Sequence, residues 1–245
     1  MHPIYFVKLK YLLSNPINAS KKILFPALRN SDIDITDLEE KIGKIQIIFE
    51  AGAADGVDTN KFLKLFPNSK IFCLEPVIDQ YNLLKKKFIK NSRVRLKNLA
   101  LSDSNGSTEI NIGSTGKAID GMGSSSISQP KLHKKYFEHI KFEKLQPVKT
   151  VTFSKACELF KIKKIDLLWL DLQGLELKVI TSSSSYIEKN VKSFHLEISN
   201  VKLYEDSPSP NEIKILMNNL GFKLVKKNVG ALAGNALYIN TRFAK

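Results

Sequence analysis

Ile45-Gln-Ile-Ile-Phe-Glu50-Ala-Gly52-Ala-Ala54-Asp-Gly56 is the stretch that decides the fold of this chain. A run of β-branched and aromatic residues predicts a buried strand, Glu50 closes it, and small residues let the backbone turn tightly into a helix. That helix carries Phe62, Leu63 and Phe66 on its apolar part. Further on, Ile71-Phe-Cys-Leu-Glu75-Pro76 reads as the next parallel strand, also ending in a carboxylate. Two acids at neighbouring strand ends, one of them set before a glycine turn, suit a ligand with a cationic group and a ribose. The plainer possibility is a glycine turn with two solvated acids.

Charge narrows the ligand. Turns that bind dinucleotides present amides and a helix N-terminus to a pyrophosphate, and a carboxylate just before the turn repels that anion. S-adenosylmethionine carries no phosphate, but it has an ammonium, a sulfonium and a vicinal ribose diol. Glu50 can face the ammonium, directly or through water, while Glu75 accepts hydrogen bonds from the ribose hydroxyls. A nucleotide-binding oxidoreductase is disfavoured by Glu50.

The chain has 245 residues, 43% of them hydrophobic, enough for one large α/β core. Its net charge of +14 comes almost wholly from lysine, the arginines being Arg29, Arg93, Arg95 and Arg242. Base and phosphate readout favours arginine, so no specific nucleic-acid partner is expected. The lysines give solubility, with weak attraction to anionic glycans or membrane surfaces. Cys73 falls in a predicted strand and Cys157 in a predicted helix, with no C-x-x-C pair, which suits a reducing, cytoplasmic location. No segment is apolar for long enough to span a membrane. The stretch Ile4 to Leu13 is interrupted by Lys8 and Lys10, and no signal peptide is expected. Residues 1–44 are expected to form a helical extension packing on a domain of residues 45–245, unless they form an amphipathic helix on a membrane surface.

Strand and helix patterns alternate after residue 45, as a doubly wound sheet requires. Val77 to Lys90 is predicted helical, with Tyr81, Leu84 and Phe88 on one face, and Arg93 to Leu101 reads as a third strand leading to Ser102-Asp103. Gly113 to Ser128 is rich in Gly and Ser, so about residues 113–130 are expected to form an inserted loop. It is either a lid over the acceptor or a solvated surface loop.

A second chemical cluster is Ile165-Asp-Leu-Leu-Trp169-Leu-Asp171-Leu-Gln173-Gly174-Leu-Glu176. The apolar run predicts a strand buried on both faces, and Asp171 falls where it emerges at the carboxyl edge, the place where open α/β sheets bind ligands. Glu176 can act there or merely complement the dipole of the following helix, and Asp166 reads as a strand-entry residue. Ser193-Phe-His195-Leu-Glu197-Ile-Ser199 predicts another strand with His195 and Glu197 on one side. A strand histidine is a catalyst or a satisfied core residue, and Glu197, nearer the carboxyl edge, is the better candidate.

Taken in order, these motifs resemble the FkbM family of S-adenosylmethionine-dependent methyltransferases. The resemblance runs from about Ile45 to Asn240 through Phe49-Glu-Ala-Gly-Ala-Ala-Asp-Gly56, Leu74-Glu-Pro76, Asn98-Leu-Ala-Leu-Ser-Asp103, Asp171-Leu-Gln-Gly-Leu-Glu176 and Leu196-Glu197 with Leu203-Tyr204-Glu205. It implies an α/β, Rossmann-like class I methyltransferase fold: a seven-stranded, mostly parallel sheet with an antiparallel C-terminal strand and helices on both faces. The tail agrees, since Phe222 to Asn228 and Ala236 to Asn240 read as a hairpin around Gly230 to Gly234. Two residues depart from the family pattern: Ala54 replaces the middle glycine of the broad methyltransferase turn, and Gln173 replaces the more usual glutamate.

The resemblance carries cofactor roles to matching positions. Glu50, Gly52, Ala54 and Gly56 would shape the methionine end, Glu75 with Pro76 the ribose site, and Asp103 with the backbone of Ser102 the adenine site, with Asp171 bordering the cofactor. It also implies in-line O-methylation of a sugar, glycan or natural-product hydroxyl. A hydroxyl acceptor calls for a base within hydrogen-bond reach, and the candidates are Asp171, then Glu197, then His195. A divalent ion between Asp171 and Glu197 would lack a third oxygen ligand, so no metal is expected. Metal-assisted O-methyl transfer and a catalytically inert S-adenosylmethionine-binding protein compete with this expectation.

Overall fold

The computed structural model describes residues 33–117 and 120–244. Residues 1–32 of the expected 1–44 extension lie outside these. Ten strands are described: β1 (Ile47–Ala51), β2 (Lys70–Leu74), β3 (Val94–Lys97), β4 (Ala100–Leu101), β5 (Gly106–Ser114), β6 (Lys141–Val151), β7 (Ile165–Leu170), β8 (Val191–Ser199), β9 (Phe222–Val229) and β10 (Ala233–Asn240). The helices are α1 (Leu38–Ile42), α2 (Val57–Leu65), α3 (Ile78–Phe88), α4 (His133–Tyr136), α5 (Phe153–Phe160), α6 (Glu176–Ser182), α7 (Ser184–Asn190) and α8 (Pro210–Asn219).

The main sheet has seven strands in the order β3-β2-β1-β7-β8-β10-β9. β1 pairs in parallel with both β2 and β7, and β8 is parallel to β7, whereas the C-terminal β10 runs antiparallel to β8 and β9. The order reverses between β1 and β7, and a cleft at the carboxyl ends of the strands is the geometric consequence.

Alternation along the strands sorts the core into two layers. Ile48, Ile71, Leu167 and Trp169 pack with Phe62 of α2 and Leu84 of α3 on one face. Phe49, Leu74, Leu168, Leu170 and Phe194 pack with Phe153 of α5 and Ile213 of α8 on the other. Ile33, Ile35, Leu38 and Ile42 join the first layer. Asp166 accepts hydrogen bonds from the Gln46 and Ile47 amides, both at 2.8 Å, and pairs with Lys192 at 2.7 Å, tying the entry of β7 to β1 and β8.

Two expectations are corrected. Arg93 to Leu101 is not one strand: β3 closes the edge of the main sheet, and β4 leaves it to join a second sheet of order β4-β6-β5. Asn98 marks the break, its amide donating to the carbonyls of Glu75 at 2.8 Å and Pro76 at 2.9 Å. Nor does the inserted loop begin at Gly113. Gly113 and Ser114 end β5, which pairs antiparallel with β6, and the chain between these strands returns across the carboxyl edge of the main sheet.

Candidate active site at the carboxyl edge of the sheet

A recess of about 610 Å³, including its open mouth, lies where β1, β2 and β7 end. Its floor is the glycine turn. Gly52 has φ +84°, and a Cβ there would stand 2.1 Å from the Asp171 carbonyl oxygen, so only glycine lets the two strand ends meet. Ala54 also has a positive φ, 46°, at the position where the broader turn carries glycine. Ala54 and Pro76 line the recess. Gly56 caps α2 and packs against Leu84 and Phe88, away from the wall.

Glu75 is buried in the recess wall. One carboxylate oxygen accepts from the Ala54 amide at 2.8 Å, the other from the Val77 amide at 2.8 Å. Each oxygen keeps an unused lone pair, which is what a vicinal diol needs. Burial pushes its pKa up to about 7 against the pull of the two amides, and the nearby Asp171 charge adds to the rise.

Glu50 takes a different position from the one expected. Alternation along β1 sends its side chain towards α2, where its carboxylate accepts from the Thr59 hydroxyl at 2.6 Å and the Cys73 thiol at 3.3 Å. It does not line the recess. Burial pushes it up to about 8. Ser102 and Asp103 also fall short of the wall: the Ser102 amide bonds to the Val151 carbonyl, and Asp103 is exposed. Ala100 and Leu101, just before them, supply the lining instead.

Asp171 borders the recess, and its carboxylate meets a compact polar cluster. The Gln173 amide nitrogen donates to Asp171 and, at 3.3 Å, to Glu197 at the end of β8. The Tyr204 hydroxyl lies 2.9 Å from the Gln173 side-chain oxygen and 2.7 Å from the Ser124 carbonyl, so its single proton serves one of them at a time. Glu176 holds the turn, its carboxylate accepting from the Leu172 amide at 2.9 Å and the Gly174 amide at 3.1 Å, a tighter task than complementing a helix dipole. Asp171 and Glu197 are both pushed up by the protein around them, Asp171 against the pull of the Gln173 hydrogen bond and Glu197 with a further rise from the charge of Asp171. Glu176 is pushed up to about 7 by burial.

His195 is not brought to this cluster. It stacks on Trp169 with centroids 3.3 Å apart, buried with neither ring nitrogen partnered among the described residues, and burial drives it down to about 3. Two residues deeper in β8 than Glu197, it belongs to the core.

The segment read as an inserted loop covers the recess with Met122, Ser126 and Ile127. Ser126 pairs backbone to backbone with Asn111, and its hydroxyl donates to the Gln173 carbonyl at 2.9 Å. Ser126 and Gln80 escaped the sequence reading as site residues, since no signal separates them from other polar residues; Asn98 and Tyr204 were marked only by the family pattern. Among the described residues, no group of three or more His, Cys, Asp or Glu is arranged to hold a metal ion, and no helix is long and apolar enough to cross a membrane.

The methyltransferase FkbM domain matches residues 50–224. The 2-O-methyltransferase NoeI of Sinorhizobium fredii (strain NBRC 101917 / NGR234) is 30% identical over 197 residues, 80% of this chain and 80% of that protein. Among solved structures, Aeropyrum pernix fibrillarin in complex with natively bound S-adenosyl-L-methionine is 11% identical with a TM-score of 0.44, over 80% of this chain and 67% of that one. The N-terminal domain of EvdMO1 with SAH bound is 10% identical with a TM-score of 0.46, over 87% and 82%. With the family domain spanning most of its sheet and a relative at this identity, the chain belongs to the FkbM family of S-adenosylmethionine-dependent methyltransferases.

Proposed function

We propose that this enzyme O-methylates a hydroxyl of a sugar, glycan or natural-product acceptor, with S-adenosylmethionine held in the recess. The observation that carries the reading is the wall itself, where two carboxylates, Glu75 and Asp171, face an otherwise largely apolar recess. Among the described residues neither makes an ion pair, and a cationic ligand with a diol answers that donor set. Glu75 would hold the ribose hydroxyls, with Ala54 and Pro76 beside it, and Gly52 would let the backbone approach. When bound, the cofactor supplies a methyl group on a sulfonium, already activated for displacement.

The chain's own contribution is to align the acceptor, exclude water and take its proton. Asp171 is the proposed base, with Glu197 next, and His195 has no chemical part. The name of the S. fredii relative supports a hydroxyl acceptor. The two free, buried cysteines support a cytoplasmic setting.

Incubation with S-adenosylmethionine and a panel of mono- and oligosaccharides, read by mass spectrometry, tests this. A methyl ether should form, unaffected by a chelator, and Asp171→Asn should slow it about 10²–10⁴-fold while cofactor affinity changes little. Methylation of an amine or a carboxylate, or full turnover by Asp171→Asn, would contradict the assignment.

A further inference from the structure

Gln173 sits where the family element ordinarily carries glutamate, and its surroundings give the amide a task that a carboxylate cannot do. Asp171 and Glu197, when ionised, only accept hydrogen bonds, and the Gln173 nitrogen reaches both. The two ionised carboxylates fix which end of the amide is nitrogen, and the Tyr204 hydroxyl, shared with the Ser124 carbonyl, lies 2.9 Å from the other end. The backbone is pinned as well: φ is +52°, Glu176 clasps the flanking amides, and Ser126 of the covering segment donates to the Gln173 carbonyl.

We propose that Gln173 is the positioning residue for the Asp171 base, its amide bridging Asp171 and Glu197 so that one Asp171 oxygen is occupied and the other is left for the acceptor. The proposal rests on the reading of the recess as the S-adenosylmethionine site. Two N–H donors, one to each acid, let both carboxylates carry charge together. A glutamate at 173 would add a third acceptor-only group between them and a further negative charge. The ionisable groups around the pair are Glu75 from the end of β2, Glu176 from α6 and Tyr204 beyond β8, and among the described residues neither Asp171 nor Glu197 makes an ion pair; Lys178 is engaged by Asp206 at 2.8 Å.

S-adenosylmethionine and S-adenosylhomocysteine differ by one permanent positive charge, so the ratio of their affinities reads the ionisation of the recess acids. The test is calorimetry of both ligands against pH for the parent, Gln173→Met, Gln173→Glu and Tyr204→Phe, with Asp171→Asn as the control and circular dichroism to check folding. In the parent the preference for the sulfonium is present at high pH and fades as pH falls through the range of the pair. Hydrogen bonds to the ionised form hold a carboxyl pKa down, so removing them should raise that midpoint by about one to two pH units in both Gln173 variants. Tyr204→Phe should shift it by less, and in an Asp171→Asn background, where Glu75 and Glu197 still titrate, Gln173→Met should move it much less than in the parent. Equal weakening of both ligands with the midpoint unmoved, the mark of a packing role, overturns the proposal, as does an undiminished Gln173→Met shift in the Asp171→Asn background. A parent that binds neither ligand overturns the cofactor reading itself.

Discussion

His195 and Glu197 show how two residues of the same alternation acquire opposite fates. Both point to one side of β8, as the sequence indicates, but the strand runs from core to edge, and two residues of rise separate a buried ring from a carboxylate at the cleft. Nothing in a lone strand histidine tells which side of that boundary it occupies. Its consequence is for stability. The folded-state pKa of His195 lies near 3 and the unfolded value near 6.5, so the unfolded chain binds the extra proton. The stability tied to the neutral ring is therefore complete above about pH 6.5 and lost as pH falls towards about 3. His195→Leu should move the acid-unfolding midpoint to lower pH while methyl transfer persists. An unmoved midpoint, or lost transfer in a folded variant, would contradict the core assignment. The acids at the ends of the motif strands were legible because strand ends at the sheet edge are. Glu50 misled because its side chain turns to the helix face, where Thr59 and Cys73 occupy it.

At the scale of elements, strands buried on both faces were readable and the small second sheet was not. β7 is a continuous apolar run, whereas β6, Lys141 to Val151, mixes lysines, a proline and an exposed Leu145, so neither alternation nor an apolar run marks it. The chain between β5 and β6 was correctly read as Gly- and Ser-rich, but the hydrogen bonds that place it over the recess come from partners distant in sequence. Those bonds, Tyr204 to Ser124 and Ser126 to Gln173, join the Asn111 to Ser126 pair in holding the segment over the recess, and a ligand bound beneath adds contacts to it. Limited proteolysis between residues 115 and 128 should therefore slow when S-adenosylhomocysteine is added. Identical cleavage with and without it would make the segment a static cover.

For the whole molecule, a chain of net charge +14 gathers the buried Glu50, Glu75 and Glu176 and the half-buried Glu197 beside one sheet edge. Doubly wound topology produces that edge, and the topology was legible because the order of strand and helix patterns is written along the chain. The pH consequence is opposite to that of His195. Glu50 at about 8 and Glu75 and Glu176 at about 7 hold protons that the unfolded chain releases near 4.5. Their contribution to stability is present in full below about pH 4.5 and lost as pH rises through about 7 to 8. The thermal midpoint without ligand should fall between about pH 6 and pH 9, and saturating S-adenosylmethionine should restore most of it by binding the folded state. A midpoint that rises over that range would show the acids to be neutralised by other means.

The central claim is that the recess binds S-adenosylmethionine through the Glu75 wall, and titration calorimetry of the parent and Glu75→Ala tests it most directly. The parent should bind S-adenosylmethionine and S-adenosylhomocysteine, one per chain, and give no heat with NAD. Losing two charge-assisted hydrogen bonds costs roughly 2–3 kcal/mol, so Glu75→Ala, folded by circular dichroism, should bind about 30- to 150-fold more weakly. Equal affinity in the two proteins, or binding of NAD in place of S-adenosylmethionine, would contradict the account.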